Sequence, residues 1–278
     1  MLNTLLAKTR TRRKFVPGSV VVITGASSGI GEEIAYRYSE RGCKIVICSR
    51  TQSGLDRVAQ TCKERGAAAI HTVSIDVRKE EDCSKLIDET IRMFGRIDIL
   101  VLNAGISAHF PFNEHVNTEI YRKLMDTNFY GYLFPTKHAW SHLKNSRGQI
   151  VVVSSLSGEI GLPGRSAYCA SKFAVTGLFE SLRMDDENEL VDITIVCPPS
   201  IKTRMREHSS KELSLNEISI DDENDKRLSI QKCVDEIMLG TDKRERKVFF
   251  TRSSLFAVCA QPLIPQIIDP LIRKASKL

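Results

Sequence analysis

Ser19-Val20-Val21-Val22-Ile23-Thr24 runs straight into Gly25-Ala26-Ser27-Ser28-Gly29-Ile30-Gly31, and the reading of this stretch decides the fold. The first six residues are mostly β-branched, the composition of a strand covered on both faces. From Glu32 to Glu40 the apolar residues recur at helical spacing and stop at Gly42, a common helix terminator. Strand, glycine-rich turn and helix together aim backbone N–H groups at a helix N-terminus, where unpaired donors and the helix dipole favour negative charge. Glycines let the chain bend tightly and let a pyrophosphate approach the backbone. A second strand-like run, Lys44 to Cys48, follows at about the twenty-residue distance of a dinucleotide unit. The turn therefore reads as a dinucleotide cradle formed by Gly25, Ser27, Ser28, Gly29, Ile30 and Gly31.

Outward from this unit the pattern repeats. Strand-like runs stand at 44–48, 70–76, 97–103, 148–155, 191–198 and 247–251, with helix-length segments between them. Such alternation feeds a parallel sheet, and continuously apolar runs expect helices on both faces. One of those helices is Glu80 to Phe94, with Cys83, Leu86, Ile87, Thr90 and Ile91 along one stripe. The expected fold is α/β, a doubly wound parallel sheet of the Rossmann type with about seven strands in a single domain. The domain takes residues 18–278, after a basic tail at 1–17. Within it, the polar stretch at about 204–228 reads as a flexible excursion or a lid over a pocket, and 253–272 as an apolar C-terminal segment.

Of 278 residues, 42% are hydrophobic and 27% charged, a balance that excludes a disordered or collagenous chain. The longest apolar runs fall far short of the roughly 18 residues of a membrane span. The oily stretch Leu255 to Ile268 is interrupted by Gln261, Pro262, Pro265 and Gln266. It is expected to pack on the body, with peripheral membrane contact as the second reading. Net charge is +6, and Lys8, Arg10, Arg12, Arg13 and Lys14 supply five of the 40 basic side chains, leaving 35 against 34 acids. The tail reads as a solvated arm; nucleic-acid or membrane binding and an acid-poor organelle presequence are its alternatives. No nucleic-acid partner is expected. Eight cysteines show no C-x-x-C pair and no metal-ligand spacing, so they read as small buried apolar residues of a reducing compartment. His138 and His142 have helical i, i+4 spacing but lack the glutamate of a zinc-protease motif, and no metal is expected.

The second strand ends Cys48-Ser49-Arg50, where an acid would hold the ribose 2′-hydroxyl of NAD. Arg50 suits a 2′-phosphate instead, which favours NADP(H) over NAD(H); a solvated surface arginine is the competing reading. Tyr168 and Lys172 are four apart, so a helix stacks them on one face with the ammonium near the phenol. A free phenol has a pKa near 10, and a nearby positive charge stabilises its phenolate, making proton transfer feasible.

Thr24 to Gly31, Asn103-Ala104-Gly105, Asn128, Ser155 and Tyr168-Cys169-Ala170-Ser171-Lys172 together resemble the short-chain dehydrogenase/reductase family. The resemblance covers about 18–203 and weakens from there to 252. Within the family the chain is most similar to the branch of the 11β-hydroxysteroid dehydrogenases and related broad-specificity carbonyl reductases. The resemblance implies that Tyr168 is the proton donor or acceptor, that Ser155 holds the substrate oxygen and that Asn128 fixes a water in a relay to Lys172. It further implies that Lys172 binds the nicotinamide ribose, that Asp76 and Val77 line the adenine, and that Asn103, Ala104 and Gly105 brace the cleft. Ile201 and Thr203 would contact the nicotinamide end. Where the family commonly has Pro-Gly after its sixth strand, this chain has Pro198-Pro199-Ser200, which removes a flexible residue and a backbone donor.

The expected activity is NADP(H)-linked interconversion of a lipophilic ketone or aldehyde and its alcohol. Phe110, Phe112, Leu156, Ile160, Leu162 and Met205 make the expected pocket apolar, suiting a steroid, retinoid or lipid-derived substrate. An enoyl-CoA reductase and a non-catalytic NADP(H) sensor are the rivals. A homodimer or homotetramer is the expected assembly. Ser276-Lys277-Leu278 matches a peroxisomal address, implying the peroxisomal import receptor as a partner and the peroxisome as the compartment, with the cytoplasm or a membrane surface as the alternative.

Overall fold

The computed structural model describes residues 16–113, 116–186, 190–203, 205, 209, 213 and 227–276. The basic tail up to residue 15, most of the polar excursion, and Lys277 and Leu278 of the expected peroxisomal address lie outside the described residues. The β-branched runs form the strands β1 (Val20–Thr24), β2 (Lys44–Ser49), β3 (Ala69–Ser74), β4 (Ile99–Leu102), β5 (Gln149–Val153), β6 (Asp192–Cys197) and β7 (Lys247–Phe249). They make one seven-stranded sheet in the order β3-β2-β1-β4-β5-β6-β7. Every pairing is parallel, with Val20 opposite Lys44 on one side of β1 and Val21 opposite Ile99 on the other. Strand order reverses direction beside β1, so a crevice opens between the carboxyl ends of β1 and β4, the place where open α/β sheets bind ligands.

The helices are α1 (Gly29–Glu40), α2 (Gln52–Glu64), α3 (Glu80–Phe94), α4 (Glu119–Met125), α5 (Gly131–Ser146), α6 (Ser166–Asp185), α7 (Ile230–Asp242), α8 (Arg252–Ala260) and α9 (Pro265–Ser276). A wide π turn, Asp126–Tyr130, joins α4 to α5, and a 3₁₀ turn, Leu156–Gly158, follows β5. Side chains alternate across each strand. Val21 and Ile23 join Ile34, Leu55, Val234 and Ile237 under α1, α2 and α7, whereas Val22 joins Leu86, Leu143 and Phe179 under α3, α5 and α6. Both faces are dry, which explains the continuously apolar strands. Helix α3 matches its sequence reading at both ends: Glu80, Glu81 and Asp82 complement the positive end of the dipole, and Gly95 closes it in the left-handed region at φ 73°.

Two expectations need adjustment. Seven cysteines are buried as small apolar residues, but Cys259 is exposed. The C-terminal segment folds into α8 and α9 and buries Ala260 and Ile268, yet Leu255, Phe256, Leu263, Ile264, Ile267 and Leu271 stay exposed. Packing on the body therefore absorbs only part of this segment: apolar residues run around α8, and on the single apolar face of α9 Ile268 is buried while Ile267 and Leu271 are not. No helix among the described residues is long and apolar enough to cross a membrane. His138 lies 3.4 Å from Glu80, and no group among the described residues has the make-up of a metal site.

Leu100→Ala, at a fully buried position, should lower unfolding free energy by about 2–5 kcal/mol in urea denaturation. Leu263→Ser, 80% exposed, should stay within about 0.5 kcal/mol.

Candidate active site

The crevice is built by a clamp between β1 and β4. Thr24 Oγ1 accepts hydrogen bonds from the backbone N–H of Asn103 at 3.0 Å and of Ala104 at 3.2 Å. In return, Asn103 Nδ2 donates to the carbonyl oxygens of Thr24 at 3.1 Å and Gly25 at 3.0 Å. The loops after the two strands are thereby locked at close approach, and glycine becomes obligatory. A Cβ on Gly25 would sit 2.6 Å from Ala104 Cα, and one on Gly31 would sit 2.5 Å from Asn103 Nδ2. Gly29 instead needs its left-handed φ of 65°. Ser28 caps α1 in extended conformation without a side-chain cap bond, so the amides of the first turn are offered toward a ligand. Thr203 closes over this turn, its methyl 3.9 Å from the Cβ position of Gly29. Ile201 forms a bridge with Leu228, and Lys202 N–H donates to Leu228 O at 3.0 Å, so the chain after Pro198-Pro199-Ser200 is held without the family's glycine.

At the far edge of the cradle, Arg50 is exposed and its charge reaches Asp76. Burial raises the Asp76 carboxyl, but hydrogen bonds and charge from Arg78, with Arg50 adding, outweigh it and hold the group below its ordinary value. Arg78 Nε donates to both carboxylate oxygens at 2.9 Å. Beside Asp76, the Val77 side chain is buried against Gly131 at the start of α5.

The second half of the site lies between the end of β5, the π turn and α6. Ser155 is half-buried, and its Oγ accepts the N–H of Ser157 at 3.1 Å, which fixes the hydroxyl at the strand end. Tyr168 is 8% exposed and packs with Ile106, Ala108, Ile120, Leu124 and Ala167. One turn on, Lys172 is 3% exposed, and its Nζ lies 6.0 Å from the centroid of the Tyr168 ring. Burial pushes the Lys172 ammonium down to about 7. Asn128 is fully buried: its Oδ1 accepts Ile106 N–H at 2.9 Å, and its Nδ2 donates to Ile106 O and to Ser171 Oγ, both at 2.9 Å. Both amide hydrogens are committed to the protein, so the side chain acts as a bolt from the loop after β4 to α6. Gly105 leaves room for it, since a Cβ there would come within 3.1 Å of Asn128 Oδ1.

Of the expected pocket, Phe110 packs edge-on against Tyr121 at 6.1 Å between centroids, next to the Tyr168 cluster. Ile160 is buried, while Phe112 is 72% exposed and stands at the rim. Leu213, from the excursion, joins the same cluster, and Ser209 Oγ accepts Ser107 N–H at 2.9 Å. Sequence reasoning missed Thr24, Ser171 and Tyr132, whose Oη lies 3.3 Å from Lys172 Nζ. Thr24 ends β1 beside the glycine turn and Ser171 stands between Tyr168 and Lys172 on α6, signals that could have found them, whereas local spacing carries none for Tyr132.

These features define a dinucleotide-binding α/β fold with a buried tyrosine–lysine pair at its crevice. The sequence profile described as short chain dehydrogenase matches residues 19–214, and the chain belongs to the short-chain dehydrogenase/reductase family. It is 44% identical over 190 residues to "11-beta-hydroxysteroid dehydrogenase A" of Sesamum indicum, a match covering 68% of this chain and 54% of the relative, about half its length. It is 35% identical to "11-beta-hydroxysteroid dehydrogenase-like 2" of Arabidopsis thaliana, over 92% of this chain and 81% of that one. In fold it is similar to a crystal structure of a short chain dehydrogenase/reductase from Burkholderia phymatum in complex with NAD, with TM-score 0.79 and 23% identity over 90% of this chain and 95% of that chain.

Thr24→Val keeps the shape of the clamp but leaves two amides without their acceptor. Thermal or urea unfolding should show a loss of about 2–4 kcal/mol, well beyond that of a neutral surface change.

Proposed function

We propose that the chain is an NADP(H)-dependent oxidoreductase that interconverts a lipophilic ketone or aldehyde and its alcohol, acting on CH–OH and C=O groups. The observation that carries this reading is the buried Lys172 ammonium one turn from Tyr168, at the crevice of a glycine cradle. The cradle fits a dinucleotide: Gly25 and Gly31 leave no room for a Cβ, and the first turn of α1 offers amides to a pyrophosphate. A bound nicotinamide supplies or takes up the hydride. In the reducing direction Tyr168 gives its phenolic proton to the carbonyl oxygen, and the resulting phenolate is stabilised by the Lys172 ammonium. In the oxidising direction the same phenolate removes the proton of the alcohol. Ser155 Oγ has its own hydrogen to donate to the substrate oxygen while it accepts from Ser157. The apolar cluster around Tyr168 keeps water from the pair and strengthens their electrostatic coupling.

Arg50 supports NADP(H): an exposed guanidinium at the end of β2 suits a 2′-phosphate. The lining by Ile106, Phe110, Tyr121 and Leu213 supports a lipophilic substrate, and the names of the plant relatives point to a steroid-like or other lipid-derived one. A screen of NADPH and NADH oxidation over lipophilic carbonyls and enoyl-CoA esters tests the reading. Ketone or aldehyde reduction preferring NADPH is expected, with Arg50→Ala erasing most of the preference and Tyr168→Phe removing at least about a hundredfold of turnover while cofactor binding persists. Turnover of enoyl-CoA esters alone would move the chain to the rival enzyme class, and cofactor binding without turnover to the sensor.

Peroxisomal import through Ser276-Lys277-Leu278, a homodimer or homotetramer, and peripheral contact with an anionic membrane complete the proposal. Arg252, Arg273 and Lys274 flank the exposed apolar residues of α8 and α9, the charge pattern of a segment lying on anionic lipid. A fluorescent reporter carrying residues 267–278 should become punctate in cells, and a diffuse signal would remove the address.

A further inference from the structure

Lys172 is held from a side that the tyrosine–lysine spacing does not show. Its Nζ donates to Val153 O at 3.0 Å and to Tyr132 Oη at 3.3 Å, and Tyr132 Oη in turn donates to the same carbonyl at 2.8 Å. The three atoms close a triangle between α6, the end of β5 and α5. It accounts for two of the three ammonium donors and leaves one for other partners. Nζ also lies nearer the Tyr132 ring, 4.9 Å from its centroid, than the Tyr168 ring at 6.0 Å. Tyr132 is fully buried, so its phenol forgoes water to make these contacts. The π turn explains the placement: Asn128 meets Ser171 at 2.9 Å, and one turn later Tyr132 meets Lys172, so consecutive residues of α6 are gripped by two residues four apart.

We propose that Tyr132 is a positioning residue, whose phenol oxygen, anchored on Val153 O, holds the Lys172 side chain in the crevice and supports it in its ammonium form beside Tyr168. This rests on the oxidoreductase reading of the same pair but concerns a residue that touches neither substrate nor cofactor. An oxygen lone pair facing a buried amine stabilises the ammonium more than the neutral form, so its removal disfavours protonation. The titratable groups around Nζ are Tyr132 from α5, Tyr168 from its own helix and Cys197 from β6. Glu159 stands next to Cys197, at 3.6 Å, but is engaged by Lys247 at 2.9 Å. No carboxylate among the described residues pairs with Lys172, so a neutral oxygen acceptor carries weight that it would lack beside a salt bridge.

The test needs no substrate. Protein labelled with ¹³C at lysine Cε is titrated by NMR without cofactor, and the Lys172 signal is identified by its loss in Lys172→Met. Wild type should titrate at about 7. In Tyr132→Phe the midpoint should fall further, by at least about half a unit. NADPH binding should hold within about threefold. Tyr132→Leu, which fills much of the same space without an acceptor, should move the midpoint the same way and replaces the phenylalanine variant if that one does not fold. A midpoint at the wild-type value in either folded variant would overturn the proposal. Absence of turnover by wild type on every carbonyl would instead end the oxidoreductase reading and leave the midpoint comparison intact.

Discussion

A lysine ammonium kept from water is the constraint that the rest of this structure serves. Taking such a charge out of solvent costs several kcal/mol, and a protein accepts it only where other groups make up part of the loss. Here the compensation comes from the Val153 carbonyl, made available where β5 ends, and from the Tyr132 phenol. With no carboxylate among the described residues to neutralise it, the charge of Lys172 is available, on the proposed reading, to Tyr168, whose ring centroid lies 6.0 Å away. A salt-bridged lysine would be easier to bury and less useful.

The remainder of the fold keeps that arrangement in register with the glycine cradle. Parallel pairing ends β1, β4 and β5 on one edge of the sheet, and the clamp of Thr24 on Asn103 and Ala104 sets the spacing between the first two. Asn128 then bolts the loop after β4 to Ser171, next to Lys172. The glycine turn and the tyrosine–lysine pair are thus linked by a short run of buried hydrogen bonds, and satisfied buried networks of this kind are rigid. The apolar cluster around Tyr168 closes the side where a substrate would enter.

Much of this was legible in the sequence, for definite reasons. Apolar runs such as Val20 to Ile23 and Ile150 to Val153 admit little besides covered parallel strands, and α3 carried its stripe, its acidic start and its glycine stop in plain view. The glycines were legible as a turn, but the sequence suggested that all three make room for a ligand. Gly25 and Gly31 first make room for Ala104 and Asn103, a partnership formed across the sheet that no local pattern reveals. Asn128 was found as a member of the constellation, whereas the partners of its side chain depend on the path of the loop after β4. Tyr132 was illegible because its role rests on a carbonyl some twenty residues away in β5 and on a π turn that spacing rules built on 3.6 residues per turn do not anticipate. The exposed apolar side of α8 and α9 was likewise hidden, since composition does not say which residues two short helices leave uncovered.

The central claim is that Tyr168 and Lys172 act together at a cofactor seated between β1 and β4. A crystal structure of the protein grown with NADPH tests it most directly. The account predicts the pyrophosphate against the first turn of α1 and the Tyr168 hydroxyl and Lys172 ammonium both facing the nicotinamide end. A cofactor bound elsewhere, or a Tyr168 hydroxyl turned away from it with Lys172 unengaged, would contradict the account.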